Sequence, residues 1–105
     1  MKSWEMAQQM ARARKLLGEG TLLRLQVFSE IAAAGSAGIE QGALSLKCGS
    51  GGGTISTNVH GLSSMTHLKQ PGPGLVHIRV NPSNLRVNIV TLTDKGEAVA
   101  RELFS

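Results

Sequence analysis

The 105-residue sequence predicts a mostly helical α+β fold in which four helices precede a β-hairpin and a fifth helix follows it. Two observations lead to this prediction. Apolar residues recur at helical spacing through most of the chain, and two runs rich in β-branched residues flank the turn-forming segment Asn81–Asn84. A chain of this length forms one small domain, and its core must be aliphatic because only 3% of its residues are aromatic.

The composition disfavours several classes of protein. No apolar run is long enough to cross a bilayer, and the N-terminal residues, which include Trp4 and Glu5, do not resemble a signal peptide, so we expect a cytoplasmic protein without a membrane partner. Cys48 is the only cysteine and is predicted to be an ordinary unpaired side chain rather than a redox sensor. The three histidines lack metal-ligand spacing, so no metal site and no cofactor are predicted.

The net charge of +4 is unevenly distributed. Residues 41–93 contain Lys47, Lys69, Arg79 and Arg86 but no acid, and they account for the whole excess. A long segment without negative charge indicates a surface that meets a polyanion, although chance in a Gly/Ser-rich segment is the alternative explanation.

Helical periodicity predicts three helices in the first half of the chain, Lys2–Leu17, Leu22–Ala34 and Ile39–Leu46. The first has a Met-rich stripe, which suits a partner subunit as well as its own domain. The second is capped by Thr21 and has the strongest core stripe. The two stripes consist of Met6, Met10, Ala13 and Leu17 in the first helix and of Leu23, Val27, Phe28 and Ile31 in the second.

A fourth helix, Thr54–Leu68, is predicted to have two unlike faces, with Thr54 as its N-cap. The outward face lacks the Lys and Glu that usually solvate a surface helix. Short polar side chains suit a face that lies close against another surface, such as base edges in a DNA major groove. The inner stripe is Ile55, Val59, Leu62 and Met65, and the outward one is Thr57, His60, Ser64 and His67.

A glycine-rich segment, residues 47–53, precedes this helix and raises the possibility of a nucleotide-binding loop. No lysine stands directly before Thr54, no strand leads into the segment, and residues 41–93 contain no carboxylate to hold Mg²⁺. No catalytic grouping is recognisable either, so an enzyme is not predicted. We interpret the segment as a long, flexible turn whose backbone N–H groups could contact a DNA phosphate.

The predicted hairpin joins Leu75–Val80 to Leu85–Leu92. If Val80 lies opposite Leu85, then Arg79 lies opposite Arg86. Such a like-charge pair is unfavourable unless a phosphate compensates it or both side chains splay into solvent. In this register one face carries Val76, Ile78, Val80, Leu85, Val87 and Ile89, and the other carries His77, Arg79, Arg86 and Asn88.

The last predicted helix, Lys95–Phe104, is capped by Thr93 or Asp94. Phe104 lies close to the C-terminus, as Trp4 does to the N-terminus, and both are expected to be buried by a second subunit.

This order of elements, with the acid-free part confined to the third helix through the hairpin, is that of a winged helix-turn-helix with flanking terminal helices. Over residues 21–104 the chain also resembles the MarR-type winged-helix regulators. The resemblance rests on the core helix LLRLQVFSEIAAA, on Leu62 before GLV at residues 74–76, and on VTLTDKGE at residues 90–97. The last segment is similar to the V-x-L-T-x-x-G motif that follows the wing in that family.

The resemblance implies a nucleoid-associated homodimeric regulator that binds double-stranded DNA. Residues 1–20 would dimerise, 21–93 would form the winged-helix core, and 94–105 would form the C-terminal helix. Residues 54–68 would enter the major groove, and the wing, residues 75–92, would lie on the backbone or minor groove. The effector and the operator are not identified. The expected base contacts are Ser56, Thr57, Asn58, His60, Ser64 and His67; the phosphate contacts are Lys47, Thr54, Lys69, Arg79, Asn84 and Arg86; the dimer contacts are Trp4, Met6, Met10, Leu17, Leu103 and Phe104.

An alternative is a winged-helix module that binds a protein partner through the same helix, such as an accessory protein of a phage or plasmid. The low charge of the outward helix face favours this alternative, and the acid-free wing opposes it.

Overall fold

The computed structural model describes residues 2–17, 22–64 and 71–104. In these ranges the predicted α+β winged-helix order is confirmed, with none of the helices long and apolar enough to span a bilayer. The elements are α1 (Ser3–Leu17), α2 (Leu22–Ala34), a 3-10 turn (Gly35–Ala37), β1 (Ile39–Glu40), α3 (Gln41–Cys48), α4 (Gly52–Leu62), β2 (Val76–Asn81), β3 (Asn84–Leu92) and α5 (Asp94–Phe104). Thr21, the predicted cap of α2, lies outside the described residues.

The core is aliphatic, as predicted, and α2 lies at its centre. Val27, Phe28 and Ile31 of α2 have no exposed surface, so the predicted core stripe is confirmed at these positions. Leu23 is only partly buried at the edge of the same cluster. The other side chains without exposed surface are Leu44 of α3, Ile55, Val59 and Leu62 of α4, Leu75, and Val90 of β3.

The start of the predicted third helix is a short strand instead. Ile39 and Glu40 pair with Val90 and Ile89 of β3, which makes a three-stranded sheet in the order β1-β3-β2. Gly38 has a positive φ of 79°, and a Cβ there would collide with the side chains of β3, so the chain approaches β3 closely at this point. Because Ile39 and Glu40 complete a β-ladder, the helix begins only at Gln41.

The hairpin register differs from the predicted one. Arg79 pairs with Ile89 and Val80 with Asn88, so Arg79 does not lie opposite Arg86. This register places Ile78 across from the fully buried Val90, and burial of one face is what fixes strand register. Ile89 therefore lies on the Arg79 face and not on the predicted apolar face. The two strands differ in the number of residues near the tip of the hairpin, and the register shifts there between Val80 and Asn81.

Two predicted dimer residues belong to the core of the single chain. Leu17 and Leu103 are each 4% exposed, because the ends of α1 and α5 pack against the rest of the domain. The Gln9 side chain donates a hydrogen bond of 2.8 Å to the Leu103 carbonyl and joins the two helices. Leu17 and Leu103 are therefore unavailable as primary contacts for a second subunit.

Thr93 caps the N-terminus of α5 and is one of the two residues predicted for that role. Its hydroxyl oxygen accepts the Gly96 N–H at 3.0 Å, and its hydroxyl donates to the Gly74 carbonyl at 2.7 Å. The Thr93 N–H donates to the Leu75 carbonyl at 3.0 Å, which ties the start of α5 to the segment before β2. A Cβ on Gly96 would overlap that same Leu75 carbonyl oxygen.

We therefore expect Gly96→Ala to lower the free energy of unfolding by about 3 kcal/mol, because the added methyl meets backbone that cannot move aside. Gly42→Ala is the matched control, since a Cβ on that α3 glycine meets nothing within 4 Å; it should stabilise the protein by about 0.5 kcal/mol. Urea unfolding followed by circular dichroism measures both. Equal stability of the two variants would contradict the role of Gly96.

Candidate nucleic-acid interface

Helix α4 begins earlier and ends earlier than predicted. Gly51, not Thr54, is its N-cap, and Gly52 and Gly53 form its first turn together with the exposed Thr54. The helix ends at Leu62 because Ser63 is extended, and the Leu75 N–H then donates to the Leu62 carbonyl at 2.7 Å. Met65, His67 and Lys69 lie outside the described residues.

The turn between α3 and α4 is short, whereas a long flexible segment was predicted. Gly49 ends α3 in the left-handed conformation with a φ of 65°, a geometry that favours glycine. The Ser50 N–H donates to the Ser45 carbonyl at 3.2 Å, and the Ser45 hydroxyl donates to the Ser50 carbonyl. These bonds fix the turn to the end of α3, and α4 begins two residues later, so α3 and α4 form the two helices of a helix-turn-helix.

One predicted base contact, Asn58, is buried. Only 7% of its surface is exposed, and both ends of its amide are engaged: Nδ2 donates to the Thr54 carbonyl at 2.9 Å, and Oδ1 accepts the Arg24 Nε–H at 3.3 Å. Asn58 lies beside the apolar stripe of α4, so it faces α2 rather than outward. The prediction that it reads a base is therefore wrong.

Arg24 contributes to this site and was not predicted from the sequence. It extends from α2 across α4, and a Cβ on Gly61 would lie 2.5 Å from its Nη2 atom. Gly61 thus leaves room for a guanidinium that also holds Asn58, so Arg24 positions α4 on α2. The available signals were a cation inside the apolar stripe of α2 and a glycine within the predicted fourth helix, at the position that became the last turn of α4.

The outward face of α4 carries no charged side chain, as predicted. Thr57 is exposed, while Ser56 and His60 are half-buried. The Thr57 hydroxyl donates to the Gly53 carbonyl at 3.0 Å, and His60 Nδ1 lies 2.8 Å from the Ser56 carbonyl oxygen. A neutral imidazole therefore carries its proton on Nδ1, which leaves Nε2 as an acceptor. Ser64, just beyond the helix, is also exposed.

The segment without acids is not an acid-free surface. The Lys47 ammonium lies 3.7 Å from a carboxylate oxygen of Glu30, which α2 contributes. Glu40 of β1 and Arg79 of β2 both pair with Ile89, so they share one row of the sheet. Two strand spacings separate them, which is about 10 Å. Helix α2 thus brings an acid to Lys47, and strand β1 places Glu40 on the same row of the sheet as Arg79.

The wing formed by β2 and β3 has an ordered, uncharged tip. Asn81 Oδ1 accepts the Ser83 N–H at 2.9 Å, and Asn84 Oδ1 accepts the Arg86 N–H at 3.2 Å. Such bonds from Asn to backbone two residues on are typical of turns. Arg79 and Arg86 are both exposed.

Among the described residues, no group of His, Cys, Asp or Glu could hold a metal ion. Burial raises the pKa of the Cys48 thiol above its ordinary value, and the nearby Glu30 carboxylate raises it further. Both effects disfavour the thiolate, which is the reactive form, so the environment of Cys48 is unlike that of a redox sensor.

Several solved structures share this fold, although no protein-family model and no curated protein matches the chain. A complex of MepR from S. aureus with DNA has a TM-score of 0.73 at 19% identity, covering 95% of this chain and 73% of MepR. The PcaV transcriptional regulator of Streptomyces coelicolor, solved with its natural ligand, has a TM-score of 0.65 at 24% identity. The match covers 98% of this chain and 70% of PcaV. MarR has a TM-score of 0.69 at 20% identity, and the match covers 96% of this chain and 68% of MarR.

The arrangement of helices and wing therefore defines a winged helix-turn-helix protein. Its fold is that of the MarR-type regulators, and the predicted resemblance is confirmed at the level of the fold.

We predict that Asn58→Ala lowers the free energy of unfolding by about 2 kcal/mol, because it leaves the half-buried Arg24 Nε–H without this acceptor and leaves a cavity where the buried amide was. Thr57→Ala, one position earlier on the exposed face, should change it by less than about 0.5 kcal/mol. Thermal and urea unfolding of both variants provide the measurement. A loss of stability at Thr57 as large as at Asn58 would show that the two faces of α4 are assigned wrongly.

Proposed function

We propose that the protein is a sequence-specific regulator of transcription that binds double-stranded DNA as a homodimer. In this proposal α4 enters the major groove and the wing lies on the backbone or minor groove. The observation that carries the proposal is the outward face of α4, which combines exposed and half-exposed hydroxyl and imidazole groups with no charged side chain. The fold it shares with MepR, which has been solved on DNA, supports the proposal.

The base-reading residues in this proposal are Ser56, Thr57, His60 and Ser64. Hydroxyl groups can donate to or accept from any base edge, and the Nε2 acceptor of His60 suits the amino groups of adenine or cytosine. Asn58 is excluded by its burial. His67 remains an expectation, since it lies outside the described residues.

Phosphate contacts would come mainly from the wing, through Arg79 and Arg86. Thr54 is exposed in the first turn of α4, where free N–H groups favour an anion. Asn84 would use its Nδ2 amide, because its Oδ1 already accepts a backbone N–H. Lys47 would have to exchange or share its ion pair with Glu30. Lys69 stays an expectation from the sequence.

The dimer surface in this proposal is reduced to four exposed side chains near the two termini. Trp4, Met6, Met10 and Phe104 are 59%, 48%, 43% and 50% exposed. Phe104 also lies against Phe28, with ring centroids 6.0 Å apart, so it is anchored to the core on one side. A second subunit would remove the exposed side of Phe104 from water. Burial of apolar surface makes the main favourable contribution to the free energy of most protein associations.

We predict that Arg79→Ala/Arg86→Ala weakens binding and lowers the slope of log Kobs against log salt, by about 0.9 for each phosphate that the variant no longer neutralises. Mobility-shift titrations at several salt concentrations measure the slope, with a duplex selected from a random pool by the wild-type protein. Arg12→Ala/Lys15→Ala is the charge-matched control, because both side chains are exposed on α1.

An unchanged slope in the wing variant would contradict the phosphate role of the wing. Failure of the wild-type protein to bind any duplex or to be retained on heparin would contradict DNA binding altogether and favour the protein-interaction module.

We also predict that Met6→Lys shifts the protein toward the monomer and weakens DNA binding at least about tenfold, since two linked half-sites would then be bound separately. Sedimentation equilibrium gives the oligomeric state, and Met6 is exposed enough for the fold to tolerate the change. Gln26→Lys adds the same side chain to an exposed site on α2 and should leave the dimer intact. A dimer that survives Met6→Lys unchanged would place the interface elsewhere.

A further inference from the structure

The tip of the wing presents apolar surface to solvent. Leu85 is 78% exposed and Val80 is 50% exposed, although both lie on strands whose inner ends are buried in the core. A single exposed leucine is ordinary on a protein surface. Here, however, the side chain stands at the end of a narrow two-stranded ribbon, with arginines before and after it along the strands.

The local backbone holds Leu85 in place. The ladder pairs Asn81 with Asn84 and Val80 with Asn88, so residues 85–87 of β3 are extra residues opposite β2. Bulges of this kind redirect side chains at the ends of ribbons. Asn84 Oδ1 accepts the Arg86 N–H across Leu85, and Asn81 Oδ1 orders the other half of the turn. An ordered tip loses less conformational entropy when it binds.

Charge around the tip indicates the kind of partner. Strands β2 and β3 carry Arg79 and Arg86 and contain no acid, and the turn residues between the strands are uncharged. A matching partner is therefore apolar or neutral where Leu85 touches it and anionic at its rims. A DNA minor groove has this form, because sugars and base edges lie between two rows of phosphates. Architectural proteins insert apolar side chains there and kink the duplex.

We propose that Leu85 enters the minor groove as an apolar wedge against sugars and a base step, with Arg86 at the neighbouring phosphate. This inference deepens the proposed function and rests on it. Insertion of Leu85 would make the wing prefer base-pair steps that deform easily, such as TA and CA/TG. This preference would act at positions where no side chain forms a hydrogen bond to a base.

The test compares Leu85→Ser with the wild type on the duplex selected from a random pool. We expect Leu85→Ser to weaken binding about tenfold, the equivalent of one leucine left in water, with the salt slope unchanged. Energy transfer between dyes at the two duplex ends should show a smaller bend than with the wild type. Leu85→Met, which keeps an apolar side chain, should retain both the affinity and most of the bend.

Leu46→Ser is the matched control, because Leu46 on α3 is 85% exposed and lies outside the wing. Circular dichroism of each variant establishes that it is folded. Unchanged affinity and bend in Leu85→Ser, with a wild type that binds, would overturn the wedge and leave the proposed function standing. An equal loss of affinity in Leu46→Ser would also overturn the wedge. A wild type that binds no duplex would overturn both proposals.

Discussion

Docking of α4 on α2 is the constraint on which the rest of the structure depends. Three aliphatic side chains of α4 are fully buried against the core, and Asn58 links to Arg24 beside them. Gly61 lets the guanidinium come close enough to lie over the last turn. The buried apolar stripe turns one side of the helix inward, and the polar pair adds a directional contact beside that stripe. Together they set the rotation of the helix about its axis. That rotation decides which side chains face outward, and so it defines the candidate site.

Most of the fold could be predicted from the sequence because local signals and burial agree. Helix α2 has its predicted bounds, and Thr93, one of the two predicted caps, is the cap of α5. Predictions were wrong where a distant partner decides the local structure. Ile39 and Glu40 have a helical pattern but pair with β3, and the hairpin register follows burial of Val90 rather than the four-residue turn that the sequence predicts. Neither effect can be read from neighbouring residues.

The candidate site was predicted less completely, for a similar reason. Helical angles alone place Asn58 toward the flank of the packing stripe, and its side-chain partner Arg24 is distant in sequence. A charge count along the chain likewise found no acid near Lys47, because Glu30 reaches it from another helix. Side-chain periodicity identifies faces well. It cannot identify which partners from other elements occupy them.

The ion pair between Lys47 and Glu30 changes the electrostatic argument for DNA binding. With Lys47 near Glu30, and Glu40 on the row of Arg79, the positive potential around the site is weaker than the sequence count implies. Non-specific binding to DNA depends almost entirely on such cations, and it falls steeply as salt rises. The outward face of α4 carries no charged side chain and therefore adds little to such binding. A protein built this way would hold random DNA weakly, so occupancy of its site would depend on base contacts and groove shape, and on joining two half-sites in one dimer.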